Sequence, residues 1–150
     1  MNHDALVAEM RTLRDQVVGV TDTAVAAVDG LLIAADTEDA IDPNGLAALA
    51  AASLGLARRI AAAALRGPLR RTVTCSSGGY TAVYAVGETA ILVVVGDEGM
   101  NVPQLHVEAR SAVERIGAIL LAPEPEPEPE PGPGAVPAPE SAYDPEGVLG

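Results

Sequence analysis

The sequence contains no lysine, and all nine of its basic residues are arginine. A Walker-type phosphate loop requires a lysine after its second glycine, and pyridoxal enzymes hold their cofactor on a lysine amine. Lysine also serves as a general base when burial lowers its pKa. The absence of lysine therefore excludes these three kinds of chemistry.

Aromatic residues are almost absent as well, because the chain has three tyrosines and neither phenylalanine nor tryptophan. The formal net charge is −12. Proteins that bind nucleic acids use basic side chains to neutralise phosphates and aromatic rings to stack on unpaired bases. The composition therefore argues against a nucleic-acid partner, and it predicts a core built from aliphatic side chains.

Cys75 is the single cysteine, so the chain cannot form an internal disulfide, which fits a reducing compartment. The first residues, MNHDALVAEMRTLRD, carry acids where a signal peptide has basic residues and then an apolar segment. The longest apolar run, LAALAAASLGLA, has about twelve residues and stops at Arg58 and Arg59, which is too short for a bilayer. We therefore expect a cytoplasmic protein without membrane insertion.

No group of residues in the sequence has the spacing of a catalytic or metal site. Cys75 falls in a predicted strand, and nothing places His3 or His106 beside it as a base, so we expect Cys75 to be buried as a small apolar residue. A short acidic loop lacks the spacing of a calcium loop and is interpreted as solvated: Asp36, Glu38, Asp39 and Asp42. The sequence predicts a protein that is not an enzyme, with no cofactor and no metal.

Residues 122–150 differ in composition from the rest of the chain. They contain prolines and glutamates in strict alternation, PEPEPEPEP, with seven acidic residues and no basic one. Proline and repelling charges favour an extended chain that cannot form a core. We therefore expect one folded domain over residues 1–121 and a disordered acidic tail over residues 122–150. A sharper alternative is that the tail presents its last ten residues, SAYDPEGVLG, as a docking peptide.

The stretch VAAVDGLLIA, residues 25–34, places Asp29 between two apolar runs. Asp29 could be a catalytic carboxylate in an apolar pocket, or it could form the corner of a β-hairpin. Asp-Gly between two such runs is typical of a two-residue type I′ turn, in which both residues take positive φ. We therefore favour the hairpin, with strands at Val25–Val28 and Leu31–Ala34 and with the Asp29 carboxylate in water.

The first and last helices each have one apolar face. The first, residues 3–17, has a stripe with helical spacing: Leu6, Met10, Leu13 and Val17. The last begins after Asn101, with Gln104 three residues on, as in a capping box. Its predicted buried face is Leu105, Ala109, Ala112, Val113, Ile116, Ile119 and Leu120.

The second helix, residues 43–66, is apolar on more than one face. Asp42 caps its start, and Pro43 occupies the first helical position. One stripe recurs at spacings of three and four and is predicted to be buried: Leu46, Leu49, Ser53, Leu56 and Ile60. A second face carries Leu54, Ala61 and Leu65 with alanines between them, and its small side chains would allow another helix to approach closely.

Three further strands are predicted at LRRTVTCS (69–76), YTAVYAV (80–86) and TAILVVV (89–95). The links between consecutive strands are too short for parallel crossovers, so the sheet should be antiparallel. Strands that are apolar on both faces need helices above and below. The predicted fold is therefore α+β, a three-layer α/β/α sandwich.

The ordered elements resemble the Roadblock / dynein light-chain family in its bacterial form. The resemblance covers about residues 4–121 and rests on VAAVDGLLIA, the alanine-leucine second helix, SSGGYTAVYAVGETAILVVV and the last helix with EARSAVERIGAIL. It implies the topology αββαβββα, with a five-stranded antiparallel sheet in the order 2-1-5-4-3. The second helix would cover one face, and the first and third helices the other.

The resemblance also implies a function. Family members are non-catalytic homodimers that join through the third strand and second helix, and they act as scaffolds and regulators of Ras-like small GTPases or as motor light chains. Similar bacterial domains accompany a small GTPase and a sensor kinase. We therefore expect a homodimer that modulates the nucleotide cycle of a small GTPase. The alternative is a structural adaptor that assembles other proteins without affecting GTP turnover.

Two surfaces are predicted to carry this function. An unpaired outer strand is a template for another strand, and the predicted dimer interface is Leu54, Ala61, Leu65, Arg71, Thr72, Val73, Thr74 and Cys75. The basic residues around the end of the second helix are the predicted partner surface: Arg58, Arg59, Arg66 and Arg70. An alternative for these arginines is that they only complement the dipole of the helix C-terminus.

Overall fold

The structure is a computed structural model, and it describes residues 2–122. The helices are α1 (His3–Gln16), α2 (Pro43–Ala63) and α3 (Val102–Leu121). The strands are β1 (Val20–Ala27), β2 (Leu32–Asp36), β3 (Arg71–Ser76), β4 (Gly79–Val86) and β5 (Ala90–Gly96). The topology αββαβββα is confirmed. The predictions of a disordered tail and of a docking peptide fall on residues 123–150, outside the described residues, and stay predictions.

The five strands form an antiparallel sheet in the order β2-β1-β5-β4-β3, as expected. β5 lies in the centre, while β2 and β3 are the outer strands. The central position explains why TAILVVV is apolar at every position after its threonine. Leu92 and Val94 enter the core on one face, and Ile91 and Val93 enter the core on the other.

Helices cover both faces of the sheet, which confirms the three-layer arrangement. α1 and α3 pack beside each other on one face, and α2 covers the other. The predicted stripe of the first helix is buried at Leu6, Met10 and Leu13. The cap of α3 is confirmed by the Gln104 N–H, which donates to Asn101 Oδ1 at 3.0 Å. The Gln104 side chain donates to a carbonyl at the end of α1 instead of completing a capping box.

The buried face of α2 differs from the predicted one. The residues of α2 that enter the core are Ala47, Ala50, Ala51 and Leu54. Leu49, Leu56 and Ile60, from the stripe that was predicted to be buried, are 72%, 59% and 61% exposed. The physical reason lies in the sheet beneath α2, where Ala24 and Ala26 leave room for a close approach of the helix backbone. Alanines on the helix side permit that approach, and leucines there would hold the layers apart.

The end of α2 was also predicted wrongly, because the helix stops at Ala63 and not at Arg66. Leu65 takes a left-handed φ of 59°. The Arg66 N–H donates to Ala61 O at 2.9 Å, and the Leu65 N–H donates to Ala62 O at 3.1 Å. This is a Schellman cap in which leucine stands at the position that usually holds glycine.

By length and apolar composition alone, α2 is the one helix within residues 2–122 that could cross a membrane. The expectation that no apolar segment is long enough is corrected in this respect, because the helix continues through Arg58 and Arg59 to a length of 21 residues. Its apolar character has a second physical explanation, since one face of α2 forms a core with the sheet.

The hairpin at Asp29 is confirmed, but its turn type is not. Gly30 has a φ of +95°, whereas Asp29 is not among the residues with positive φ, so the turn is not type I′. The Gly30 N–H donates to Ala27 O at 2.9 Å, and the exposed Asp29 carboxylate accepts the Leu31 N–H at 3.1 Å. The carboxylate therefore closes a turn and lies at the surface, as the structural interpretation of Asp29 requires.

The first strand is longer than predicted, because its polar start hides it from the apolar pattern. Asp22 is 2% exposed and accepts hydrogen bonds from Thr21 Oγ1 and from the backbone N–H of Glu38, both at 2.7 Å. The Arg14 guanidinium lies 3.4 Å from the Asp36 carboxylate and 3.8 Å from that of Glu38. The acidic loop is thus anchored to β1 and α1 at its start, while Glu38, Asp39 and Asp42 are exposed, in agreement with the interpretation of a solvated loop.

The turn between β3 and β4 is held against the end of β5. Gly79 has a φ of +144°, and a Cβ at this position would collide with the carbonyl oxygen of Gly96. Glycine is therefore required here. From this turn the β3–β4 pairing continues without a register shift, from Ser76 opposite Gly79 to Arg71 opposite Tyr84.

Candidate interaction surfaces

Within the described residues, β3 is an outer strand with one unpaired edge. It pairs with β4 on one side, and Thr72 is its only residue that is not exposed. The free N–H and C=O groups of such an edge can pair with a strand of another chain. After Arg71 the strand has neither a charge nor a proline, the two features that most often block such pairing. β3 is therefore suited to strand pairing.

The pairing register shows which side of the sheet each β3 side chain faces. Val73 lies opposite Ala82 and Cys75 opposite Tyr80, and these β4 residues pack in the core beneath α1 and α3. α3 packs on β4, and Val73 on the outer strand remains 37% exposed. Cys75 is exposed as well. The expectation of a buried Cys75 was therefore wrong for the single chain, because the helix layer does not enclose the outer strand.

α2 provides the other part of the predicted dimer interface. Leu65 is 86% exposed and Ala61 is partly buried, so both reach the surface. Leu54 is 1% exposed and packs in the core of its own chain, so its placement in the interface is corrected. The exposed apolar residues of α2 that the sequence had assigned to the core are Leu49, Leu56 and Ile60. The other interface residues stay a prediction.

The arginines of the predicted partner surface have no carboxylate within 4.0 Å among residues 2–122. The ion pairs in this part of the chain are made by Arg14 and Arg115. Arg58 lines an open groove of about 850 Å³ together with Leu65, and Arg70 lines a separate pocket. Arg59 and Arg66 line neither. The structure thus does not bring the four arginines together in one depression.

The pocket that contains Arg70 lies between the start of β3, β4 and α3 and has a volume of about 350 Å³. It adjoins the groove, because Leu69 and Ala85 line both depressions. Its polar lining brings together residues that are far apart in the chain: Arg70, Arg71, Tyr84, His106, Arg110 and Glu114. Three guanidinium groups and one carboxylate give this pocket a positive charge.

A hydrogen bond joins Tyr84 to His106 at the wall of the pocket, with 2.7 Å between the Tyr84 hydroxyl and His106 Nδ1. Burial raises the pKa of Tyr84 to about 12, against a smaller opposite effect of the Arg71 charge. Burial, and then the charge of Arg71, lower the pKa of His106. At neutral pH the phenol therefore keeps its proton and the imidazole is mainly neutral, and the tautomer of His106 decides which of the two groups donates.

Sequence reasoning did not find this pocket. Its residues come from three elements, and only the β3–β4 register brings Arg71 beside Tyr84. One signal was available, since His106 and Arg110 are four residues apart and so share a helix face. Within residues 2–122, no group of three or more histidine, cysteine or acidic residues is placed to hold a metal ion.

The fold and its surfaces define a class of small α+β domain with an unpaired outer strand and an exposed apolar helix face. The Roadblock/LC7 domain model matches residues 6–96 of the chain. The chain belongs to the Roadblock/LC7 family, as the sequence resemblance implied. The uncharacterized protein MJ1340 of Methanocaldococcus jannaschii is 33% identical over 101 residues, which cover 67% of this chain and 88% of that protein.

Solved structures share the fold. The Roadblock/LC7 domain from Streptomyces avermitilis has a TM-score of 0.72 at 22% identity, covering 77% of this chain and 97% of that one. MglB from Myxococcus xanthus has a TM-score of 0.72 at 17% identity, and the match covers 79% of this chain and 90% of that one. An MglB structure with a tetrameric arrangement has a TM-score of 0.70 at 17% identity, and the match covers 78% of this chain and 88% of that one.

Proposed function

We propose that the protein is a homodimeric, non-catalytic scaffold that binds a Ras-like small GTPase and modulates its nucleotide cycle in a bacterial signalling system. Roadblock/LC7 domains are a non-catalytic adaptor family, which supports the scaffold role. The observation that carries the proposal is the bare edge of β3 on the same molecule as the exposed apolar face of α2. The protein acts in the cytoplasm, with a sensor kinase as a further partner.

The homodimer forms by pairing β3 with β3 of a second copy. A twofold axis makes this pairing antiparallel and joins the two sheets into one of ten strands. The same axis brings the α2 helices of the two copies together, so that Leu56, Ile60 and Leu65 lose contact with water. The tetrameric arrangement of an MglB with the same fold supports association of such domains.

The dimer acts on its GTPase through differential binding and not through chemistry. A protein that binds one switch-loop conformation more tightly than another shifts the population by its difference in affinity. A difference of about 1.4 kcal/mol changes the population ratio tenfold. Arg58, Arg59 and Arg66 supply charge to this surface, since no described carboxylate neutralises them.

The test combines the purified protein with the cognate GTPase and measures complex formation, GTP hydrolysis and nucleotide exchange. We expect a stable complex and a changed rate of hydrolysis or exchange. Arg59→Gln should weaken the complex, whereas Arg11→Gln, which removes the same charge from an exposed position on α1, should not. A complex with unchanged rates would favour the structural adaptor, and the absence of any complex would contradict both functions.

A further inference from the structure

The polar lining of the pocket between β3, β4 and α3 is dominated by three arginines. Arg70 and Arg71 come from the β3 side and Arg110 from α3, and none of them has a carboxylate within 4.0 Å among residues 2–122. His106 lies in the same lining, where its Nδ1 is 2.7 Å from the Tyr84 hydroxyl. Guanidinium groups in a partly enclosed site bind carboxylates or phosphates strongly. The pocket is therefore built for an anionic group.

The chain itself supplies carboxylates next to this pocket. α3, which carries His106 and Arg110, ends at Leu121, and the alternating segment PEPEPEPEP follows at residues 123–131. Arg110 lies roughly 17 Å from the end of α3 at 1.5 Å per residue. A proline-rich segment covers that distance in about six residues at ~3.1 Å each. Glutamates 126–130 can therefore reach the pocket if the segment runs back along α3.

Tethering also favours this ligand over a free one. A short connection to the same helix gives the glutamates an effective concentration of about 1 mM at the pocket. The charges are complementary, because residues 123–131 carry acids without a base and the pocket lining carries three arginines and one glutamate, Glu114. Proline reduces the conformational entropy that the segment loses on binding.

We propose that this pocket binds the glutamate carboxylates of the chain's own Glu-Pro segment, residues 123–131. The segment thereby occupies the arginines that an external anion would use, so an acidic partner or a phosphorylated ligand must displace it. The inference depends neither on a GTPase partner nor on the dimer.

The two histidines of the chain provide the readout, because NMR can follow His106 in the pocket and His3 on α1 in the same titration. The charged or titrating groups that line the pocket with His106 are Tyr84 and Glu114 and the three arginines. A bound carboxylate stabilises the imidazolium form, so it raises the pKa of His106. The full-length variant Glu126→Gln/Glu128→Gln/Glu130→Gln should lower that pKa by about 0.5–1 pH unit, with no change at His3.

A matched variant removes the same charge further along the tail: Glu140→Gln/Asp144→Asn/Glu146→Gln. We expect it to leave the pKa of His106 within about 0.2 pH unit of the wild-type value, because those residues lie beyond the Glu-Pro segment. An equal decrease in both triple variants would indicate a general effect of tail charge and would overturn the proposal. An unchanged pKa of His106 in the Glu126→Gln/Glu128→Gln/Glu130→Gln variant would overturn the proposal as well.

Inorganic phosphate separates the tethered ligand from a free one. If the segment occupies the pocket, phosphate must compete with it, and the phosphate concentration that gives half of the His106 shift should fall severalfold in the Glu126→Gln/Glu128→Gln/Glu130→Gln variant. Equal midpoints in wild type and variant would mean that the pocket binds free anions without the segment, and the proposal would fail.

Two arginines of α3 give a control for the site. Arg110→Gln should reduce the difference in His106 pKa between wild-type and substituted tails by at least half. Arg115→Gln should preserve that difference, because the Arg115 guanidinium bonds Glu9 at 2.7 Å and does not line the pocket. The same difference in both backgrounds would contradict the assignment of the carboxylates to this pocket.

Discussion

The two faces of α2 differ in the size of their side chains and in what they contact. Toward the sheet, the helix presents mainly methyl groups, with Ala47 completely buried. Away from the sheet it presents Leu49, Leu56 and Ile60, each more than half exposed. The face with the larger apolar surface is thus the one that its own chain leaves uncovered.

This difference separates two roles of one helix. Alanines let the helix lie close to the sheet, where dense packing yields dispersion contacts. The leucine face contributes little to the single chain, yet full burial of each large aliphatic side chain is worth about 1.5–3 kcal/mol. Apolar patches that remain open usually mark an interface. The sheet face of α2 therefore serves the fold, and its outer face is the one that the proposed dimer would bury.

The largest effect is expected on dimerisation, when substitutions introduce charge into the outer face of α2. Leu56→Glu/Ile60→Glu should weaken the proposed dimer by at least about 100-fold, near 3 kcal/mol, because both carboxylates would lose water in the interface. Light scattering after size-exclusion chromatography, at micromolar protein, should show a single chain with an unchanged circular dichroism spectrum. Val107→Glu charges a similarly exposed position on α3 and should leave the dimer intact. A dimer that survives the double substitution would contradict the proposed interface.

A smaller effect, on the free energy of unfolding, is expected from substitutions on the face of α2 that contacts the sheet. Ala47→Leu should lower the free energy of unfolding by about 1–3 kcal/mol, since the closely packed layers cannot accept a larger side chain without moving apart. Leu49→Ala should change it by less than about 0.5 kcal/mol. Urea unfolding in the Leu56→Glu/Ile60→Glu background measures both without a contribution from association. The reverse ranking would restore the burial pattern that the sequence alone suggested.

Leu65 should show the two roles in a single substitution. Leu65→Gly keeps the left-handed conformation and removes its cost, which is roughly 1–2 kcal/mol for a leucine, while the greater freedom of glycine in the unfolded chain offsets about 0.5–1 kcal/mol. We expect up to about 1 kcal/mol more stability in urea unfolding, together with weaker dimerisation. Arg66→Gly, next in sequence and without a positive φ, should not stabilise the protein. A stabilised variant that dimerises normally would remove Leu65 from the interface.

The smallest effect is on the pH dependence of the free energy of unfolding, and it arises at His106 on the opposite side of the sheet from α2. The pKa of His106 is lowered from 6.5 by burial and by Arg71, so in this range the unfolded chain takes up a proton before the folded chain does. The stability linked to His106 is therefore present above about pH 6.5 and is lost as the pH falls below it. In unfolding experiments between pH 7 and 5, the free energy of unfolding should fall less steeply with decreasing pH in His106→Gln than in wild type. Identical slopes would show that His106 is not perturbed.

Much of the fold could be predicted because chain order and strand links restrict it strongly. Short links force antiparallel pairing, and TAILVVV requires cover on both faces, so the three layers follow from local patterns. The sheet order came from family resemblance. The face of α2 could not be predicted, because a helix that is apolar all around gives periodicity no contrast. Its orientation depends on Ala24 and Ala26, on a strand whose start was itself missed.

The surfaces were predictable only in part. The bare outer strand followed from the sheet order, but exposure of Cys75 depends on how far the helix layer extends across the sheet. The pocket around His106 needs three elements to meet, with Tyr84 and His106 separated by 22 residues. No local pattern contains that information.

The contact of Gly79 with the end of β5 has a consequence for how two copies would meet. Because the turn of the hairpin is held against β5, the unpaired backbone amides of β3 are already ordered in an extended strand before a second molecule binds. Such preorganisation reduces the conformational entropy that docking must overcome. A side chain at residue 79 would loosen the hairpin from this support, and the strand would then have to be ordered anew at each encounter.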